Sequence, residues 1–307
     1  MAKSNNSFGK VAVLMGGSSA EREISLRSGG AVLQALKSQG VDAHAIDAKD
    51  NVLQQLIDGK FDRVFNMLHG RKGEDGVMQG ALELLDLPYT GSGVLASAIC
   101  MDKLRTKEVW LAAQLPTPEF RYLRNDADLA DVTANIGFPM IIKPAREGSS
   151  IGMSKVHNAA ELKTAWDNAR KFDSRVLAER WITGSEYTVA ILDKDVLPPI
   201  RLETPNAFYD FDAKYKANTT KYHCPCGLAA QDEAELKELA RQAFDALGCE
   251  GWGRVDVMRD QQGKFWLIEM NTLPGMTDHS LVPMAAKAAG LKFEQLVMRI
   301  LQQAMDK

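Results

Sequence analysis

The stretch Gly251–Leu281, GWGRVDVMRDQQGKFWLIEMNTLPGMTDHSL, decides how the rest of the chain is read. It holds two short alternating runs separated by a polar turn at 260–263, the pattern of a β-hairpin. Strand side chains alternate between faces, so Arg254 and Asp256 share one face while Val255 and Val257 share the other. In the second run Glu269 and Asn271 fall together, and Trp266, Ile268 and Met270 are expected opposite them. Folding about the turn brings Asp256 close to register with Glu269. Two carboxylates, an amide and a guanidinium then project from one side of a sheet whose other side is apolar. Oxygen-only donors suit a hard cation that travels with phosphates, namely Mg2+. The plainer alternative is an exposed sheet face with scattered charges, and the thoroughly apolar opposite face argues against it.

The composition around this hairpin narrows the classes. At 307 residues there is room for two or three domains with ordinary cores. A hydrophobic content of 45% with 25% charged residues is that of a globular protein in water. The 37 basic and 40 acidic residues leave a net charge of -3, so no global field favours nucleic acid or an anionic membrane. The segment MAKSNNSFGK lacks the apolar core of a signal peptide, and nowhere do about 18 apolar residues run together. Four cysteines (Cys100, Cys224, Cys226, Cys249) are too sparse for a disulfide framework, and Cys224-Pro225-Cys226 has no second pair at zinc spacing. A reducing cytoplasm is the expected setting.

Upstream, Lys10–Met15 (KVAVLM) is an apolar strand running into Gly16-Gly17-Ser18-Ser19 and an amphipathic helix to about Ser38. Doubly wound domains open in this way, with the helix N-terminus at a crevice. The spacing is not G-x-G-x-x-G, so no dinucleotide follows. Glu21 has two readings: the end of a Ser18-x-x-Glu21 capping box, or a carboxylate for a substrate ammonium. Further strands at 41–47 and 63–68 alternate with helices, and the second ends in the glycine-rich loop His69–Gly76, where α/β sheets bind ligands. A lone histidine is more often a hydrogen-bonding loop residue than a catalyst. Asp102 reads as the N-cap of a helix from Lys103 to Leu115, ended by Pro116-Thr117-Pro118.

A second unit follows, with shorter strands at 139–143, 152–156 and 176–181. The loop Pro144–Gly152 between the first two offers backbone N–H groups and hydroxyls to phosphate, as nucleotide-covering loops do. On its own it would read as a flexible turn, and Lys143 just before it tips the balance toward phosphate. The segment Leu177–Ile182, with Glu179, Arg180 and Trp181, is a candidate edge for an adenine ring, with Glu186 beyond it for the ribose. Thr204–Cys226 is a long polar loop with Phe208, Tyr209, Lys214 and Tyr215, expected to act as a lid. After a helix at 231–247 and the hairpin, Pro274-Gly275-Met276-Thr277 makes a turn. His279-Ser280-Leu281 opens a helix whose free N–H groups suit a carboxylate. From these residues alone a Mg2+-dependent phosphotransferase or nucleotide hydrolase is the natural reading.

The motifs together resemble the ATP-grasp ligases, and within them the D-alanine–D-alanine ligase family. They are GGSSAEREISL (Gly16–Leu26), LHGRKGEDG (Leu68–Gly76), YTGSGVLASAICMDK (Tyr89–Lys103), IIKPAREGSSIGMSKV (Ile141–Val156), FYDFDAKY (Phe208–Tyr215) and GWGRVDVM…IEMNTLPGMTDHSLVP (Gly251–Pro283). Nearly the whole chain is covered. The resemblance implies an α/β ATP-grasp fold with an N-terminal doubly wound, Rossmann-like domain (1–101), a small central α+β domain (102–185) and a C-terminal α+β domain (186–307). It implies that Lys103 and Lys143 hold ATP phosphates under the Ser149–Ser150 loop, and that Lys214, also at the ATP site, closes with Tyr215 from the lid to keep water off the acyl phosphate. Glu179, Arg180, Trp181 and Ile182 would line the adenine pocket, Glu186 the ribose, and Asp256, Glu269 and Asn271 two Mg2+ ions, or Mn2+ in their place. The first D-alanine would present its ammonium to Glu21 with His69 nearby, and the second its carboxylate to Ser280 and Leu281. Arg254 and the Gly275 N–H would stabilise the oxyanion. Ser149, Tyr215 and Glu21 would latch lid, loop and first domain together. A tyrosine at 215 goes in the family with a dipeptide product, and a phenylalanine with a D-alanine–D-lactate ester. A homodimer and a role in peptidoglycan precursor synthesis follow from the same resemblance. Two rival readings are a different acceptor (D-serine, D-lactate or another amino acid) and a nucleotide-binding sensor without catalysis.

Overall fold

In this structure, a computed structural model, residues 6–204, 220–277 and 279–305 are described. Strand β1 (Lys10–Met15) lies between β2 (Asp42–Asp47) and β3 (Arg63–Asn66), both parallel to it. Five of its six residues are buried, as a parallel strand covered on both faces requires. The chain leaves β1 through Gly16 and Gly17, each at φ 76°, and enters the helix Arg22–Ser38. Helices Val52–Gly59, Val77–Leu84, Val94–Met101 and Lys103–Ala112 follow in turn. Asp102 caps the last of these as expected, accepting from the Leu104 and Arg105 N–H groups. That helix stops at Ala112 rather than Leu115, since Gln114 takes the left-handed conformation at φ 60°.

The central sheet has the order β4-β7-β5-β6 and is antiparallel. It comprises β4 (Phe120–Leu123), β5 (Met140–Pro144), β6 (Ser154–Val156) and β7 (Val176–Arg180). Strand β4 and the helices Asp126–Asn135 and Ala159–Ala169 were not expected from the sequence. The four residues of β4 are too few to establish alternation, and the first helix buries only Val132. The last sheet contains β8 (Gly184–Leu192), β9 (Asp195–Val196), β10 (Ile200–Glu203), β11 (Lys221–His223), β12 (Trp252–Asp260) and β13 (Phe265–Asn271). Its order is β11-β10-β8-β12-β13, with β9 on β8. The helices Ala230–Ala246, Leu281–Ala288 and Phe293–Gln302 pack around it.

The β12–β13 hairpin pairs Arg254 with Asn271 and Asp256 with Glu269, the register expected. Asp260 builds the turn: its side chain accepts from the Gln262 and Lys264 N–H groups, each at 2.9 Å. One expectation fails. Val257 pairs with Leu267, so Ile268 is an extra residue, a β-bulge. The bulge shifts the alternation by one. Phe265, Leu267 and Met270 face the core, whereas Ile268 lines a cavity beside Glu269.

Candidate active site

Strand alternation on β12, with the bulge of β13 opposite, sets the chemistry. Val255 and Val257 bury fully on one side of β12, which turns Arg254 and Asp256 to the other. The Asp256 carboxylate accepts from Arg254 Nε and Nη2, each at 2.8 Å, from Thr188 Oγ1 at 2.6 Å and from Asn271 Nδ2 at 3.0 Å. Thr188 stands opposite Asp256 on β8. Glu269, half-buried, lies 3.6 Å from the Lys103 ammonium. Asp256, Glu269 and the Asn271 amide oxygen form an oxygen-only donor set on one face, which fits a hard divalent cation. Among the described residues no three His, Cys, Asp or Glu side chains cluster at metal-binding distance, so a cation on this face would need the Asn271 amide oxygen as its third side-chain donor. Two of the Arg254 N–H donors are spent on Asp256, a pairing the sequence reading did not foresee.

Between this face and the central sheet lies a cavity of about 100 Å3. Lys103, Lys143, Ser150, Glu179, Arg180, Trp181, Ile182, Glu186, Asp256 and Glu269 line it, which brings together the described residues expected at ATP apart from Ser149. The Arg180 N–H donates to the Glu119 carbonyl at 2.8 Å and that of Trp181 to Pro139 at 3.2 Å. The expectation that this edge offers its backbone to a base therefore narrows, among donors, to the Ile182 N–H. The loop before β6 places Ser149 and Ser150 at φ 53° and 59°, two successive non-glycine residues in the left-handed region. Lys103 Nζ donates to the Glu147 carbonyl at 2.7 Å and holds the loop over the cavity.

A second cavity, of about 410 Å3, meets the first at Lys103 and Glu269. Glu21, His69, Ser149, Arg254, Asn271, Gly275, Ser280 and Leu281 all line it. The capping-box reading of Glu21 is overturned. Glu21 is itself the N-cap of its helix, its side chain makes no cap hydrogen bond, and its Oε1 accepts from the Ser149 hydroxyl instead. Burial holds the His69 imidazole below its ordinary pKa, despite Glu21 nearby. Its Nε2 is buried and has no hydrogen-bond partner among the described residues. A Cβ at Gly275 would lie 2.9 Å from Ser280 Oγ, so a side chain there would displace that hydroxyl. The Ser280 hydroxyl turns back to accept from the Thr277 N–H at 2.9 Å, so it does not cap the helix that begins at Leu281.

The comparisons with known proteins agree with this geometry. The model described as D-ala D-ala ligase N-terminus matches residues 48–92, and that described as D-ala D-ala ligase C-terminus matches 109–302. A D-alanine--D-alanine ligase of Ectopseudomonas mendocina (strain ymp) is 60% identical over 299 residues, 97% of this chain and 96% of the relative. The chain belongs to the D-alanine–D-alanine ligase family. Two crystal structures of the Bacillus anthracis D-alanine--D-alanine ligase, the second complexed with ATP, match with TM-scores of 0.87 and 0.84 at 33% and 31% identity. Each covers 97% of both chains. VanG D-Ala:D-Ser ligase from Enterococcus faecalis matches at TM-score 0.84 and 32% identity, over 96% of this chain and 99% of that one. The fold is accordingly the ATP-grasp α/β fold, and the chain is a ligase of an ATP-using family.

Lys214 and Tyr215 lie outside the described residues. Three residues at or beside these cavities escaped the sequence reading. Thr188 sits in an apolar strand whose register alone aims it at Asp256. Lys107 looks like any helix-surface lysine and is fully buried. Glu74 lines the large cavity, with Oε1 accepting from the Gly70 N–H at 2.9 Å. Burial and the neighbouring Glu21 push its carboxyl up to about 8.

Proposed function

We propose that this ligase joins two molecules of D-alanine into D-alanyl-D-alanine while ATP becomes ADP and phosphate, in the cytoplasmic supply of peptidoglycan precursors. The observation that carries the reading is the junction of the two cavities at Lys103 and Glu269, with Arg254, Gly275 and Ser280 on the far side of the larger one. Lys103, Lys143 and the Ser149–Ser150 loop hold the phosphates. Glu179, Arg180, Trp181, Ile182 and Glu186 hold the nucleoside. Asp256, Glu269 and Asn271 would hold two Mg2+ ions, which when bound neutralise phosphate oxygens.

The first D-alanine gives its ammonium to Glu21, and one oxygen of its carboxylate attacks the γ-phosphorus as ADP leaves. The resulting acyl phosphate makes a poor electrophile a good one. The second D-alanine, its carboxylate at Ser280 and the Leu281 helix start, attacks the acyl carbon with its unprotonated amine. Arg254 and the Gly275 N–H, which has no partner among the described residues, stabilise the oxyanion until phosphate departs. On this reading Lys214 and Tyr215 serve to keep water off the acyl phosphate, and Tyr215 carries the preference for an amine acceptor. The reading keeps three units (1–101, 102–185 and 186–307) and a homodimer. Among the described residues no helix is long and apolar enough to cross a membrane.

The test is ATP-dependent phosphate release with D-alanine alone, the product identified by mass. Release with the mass of D-alanyl-D-alanine supports the ligase and its acceptor. Turnover only with a mixed D-alanine and D-lactate or D-serine pair would replace the acceptor, and silence with ATP still bound would favour the sensor. Asp256→Asn should lower turnover by ~10²–10³ while adenosine binding survives. A full rate in that variant would remove Asp256 from the metal site.

A further inference from the structure

Lys107, in the helix Lys103–Ala112, lies fully buried where the central and C-terminal sheets meet. Its Nζ is 2.6 Å from Glu179 Oε2 on β7, 2.7 Å from Thr117 Oγ1 and 3.4 Å from the Leu267 carbonyl on β13. The other Glu179 oxygen accepts from Lys143 Nζ at 3.1 Å. All three charged side chains are at most 3% exposed. Two ammonium groups therefore share one carboxylate, and the cluster holds one more positive than negative charge in the interior. Glu269, the next carboxylate, is already beside Lys103. An excess charge in a low-dielectric site is costly unless an anion completes it. Lys107 borders neither cavity, whereas Lys143 and Glu179 line the smaller one, so an anion meets the excess only through Lys143.

We propose that Lys107 is a positioning residue: by occupying half of the Glu179 carboxylate it leaves the Lys143 ammonium charge available to a nucleotide phosphate. Without it, Glu179 would close both oxygens on Lys143 and the pair would be neutral. Burial pulls the Lys107 ammonium down to about 8, as befits a cluster with more cation than carboxylate. The two lysines nonetheless hold Glu179 below its ordinary range against its own burial. The inference rests on the nucleotide reading of this cavity and extends it to a side chain that touches no ligand.

The experiment compares dissociation constants of ADP and adenosine, without D-alanine, for the wild type, Lys107→Met and the double variant Lys107→Met/Glu179→Gln. The single variant should weaken ADP about tenfold or more and leave adenosine within about twofold, the scale of one lost charge contact. The double variant restores the excess of one positive charge, so its adenosine-to-ADP ratio should return toward the wild type. Equal loss for both ligands, or no loss for either, would overturn the proposal. Lys107→Gln makes the same charge change and keeps a donor for Thr117 should the methionine variant not fold. A wild type that binds neither ligand would instead overturn the nucleotide reading itself.

Discussion

At the scale of single residues, Glu74 shows how a cavity can set a protonation state. Burial disfavours the charged carboxylate most, and Glu21 and Glu269 add negative charge nearby, while the Gly70 N–H donated to one carboxyl oxygen and Lys103 partly offset them. The folded carboxyl thus sits near 8 against an ordinary value of 4.5. The folded state binds this proton more tightly than the unfolded one, so its stability contribution is full below about pH 4.5 and is lost as pH rises toward 8. Each unit of difference is worth at most ~1.4 kcal/mol. The wild-type thermal midpoint should accordingly fall between pH 5 and 8 by more than that of Glu74→Gln, which carries no such proton. Parallel midpoint–pH curves for the two proteins would show that Glu74 is not held protonated. Occupation of the cavity by an ammonium should pull the proton off, since a cation beside the carboxyl favours its charged form.

Among elements, the loop between β5 and β6 is held by contacts that reach outside its own sheet. Arg71 donates to Glu147 and to the Phe172 carbonyl, Lys103 to the Glu147 carbonyl, and Ser149 to Glu21. These contacts sustain two left-handed serines that would each cost ~1–3 kcal/mol if unsupported. Arg71→Ala, at a position outside the substrate contacts, should raise hydrogen exchange of amides 147–152 about tenfold and leave β5 unchanged. Unaltered protection would mean that Arg71 does not hold the loop. The same elements mark what could be read from the chain. Strand β1 and the Asp102 cap were legible because an all-apolar run and an N-cap aspartate have one local interpretation. The Asp256–Glu269 register was legible from the turn. The bulge at Ile268 was not, since Leu, Ile and Met at 267, 268 and 270 look alike from composition and only the core decides which turn inward. Lys107 and Thr188 were illegible for a related reason: their partners lie 72 and 68 positions away, and no local pattern reports that.

The whole molecule divides by its cores rather than evenly along the chain. One core joins Val11, Val13 and Phe65 of the first sheet to Leu192 and Trp252 of the last and to Ile300 of the helix Phe293–Gln302. Another joins Cys100 and Trp110 to Phe244 and Val255. The central sheet and its two helices keep a core of their own, in which Val132, Ile142, Leu162, Trp166 and Val176 are buried among one another. The first and last units should therefore open together, and the central one separately, which would part the walls of the smaller cavity for a nucleotide. Two substitutions of one kind separate these bodies, Leu162→Ala in the central core and Leu192→Ala in the shared one, each removing ~2–5 kcal/mol. Under native conditions Leu162→Ala should speed amide exchange in β5 and β7 while β1 and β12 keep wild-type protection. Leu192→Ala should lower protection in β1 and β12 together, because residues from both strands share the core it opens. If Leu162→Ala loosened all four strands alike, the chain would be one cooperative body, and nucleotide entry would need a smaller local opening than the parting of two sheets.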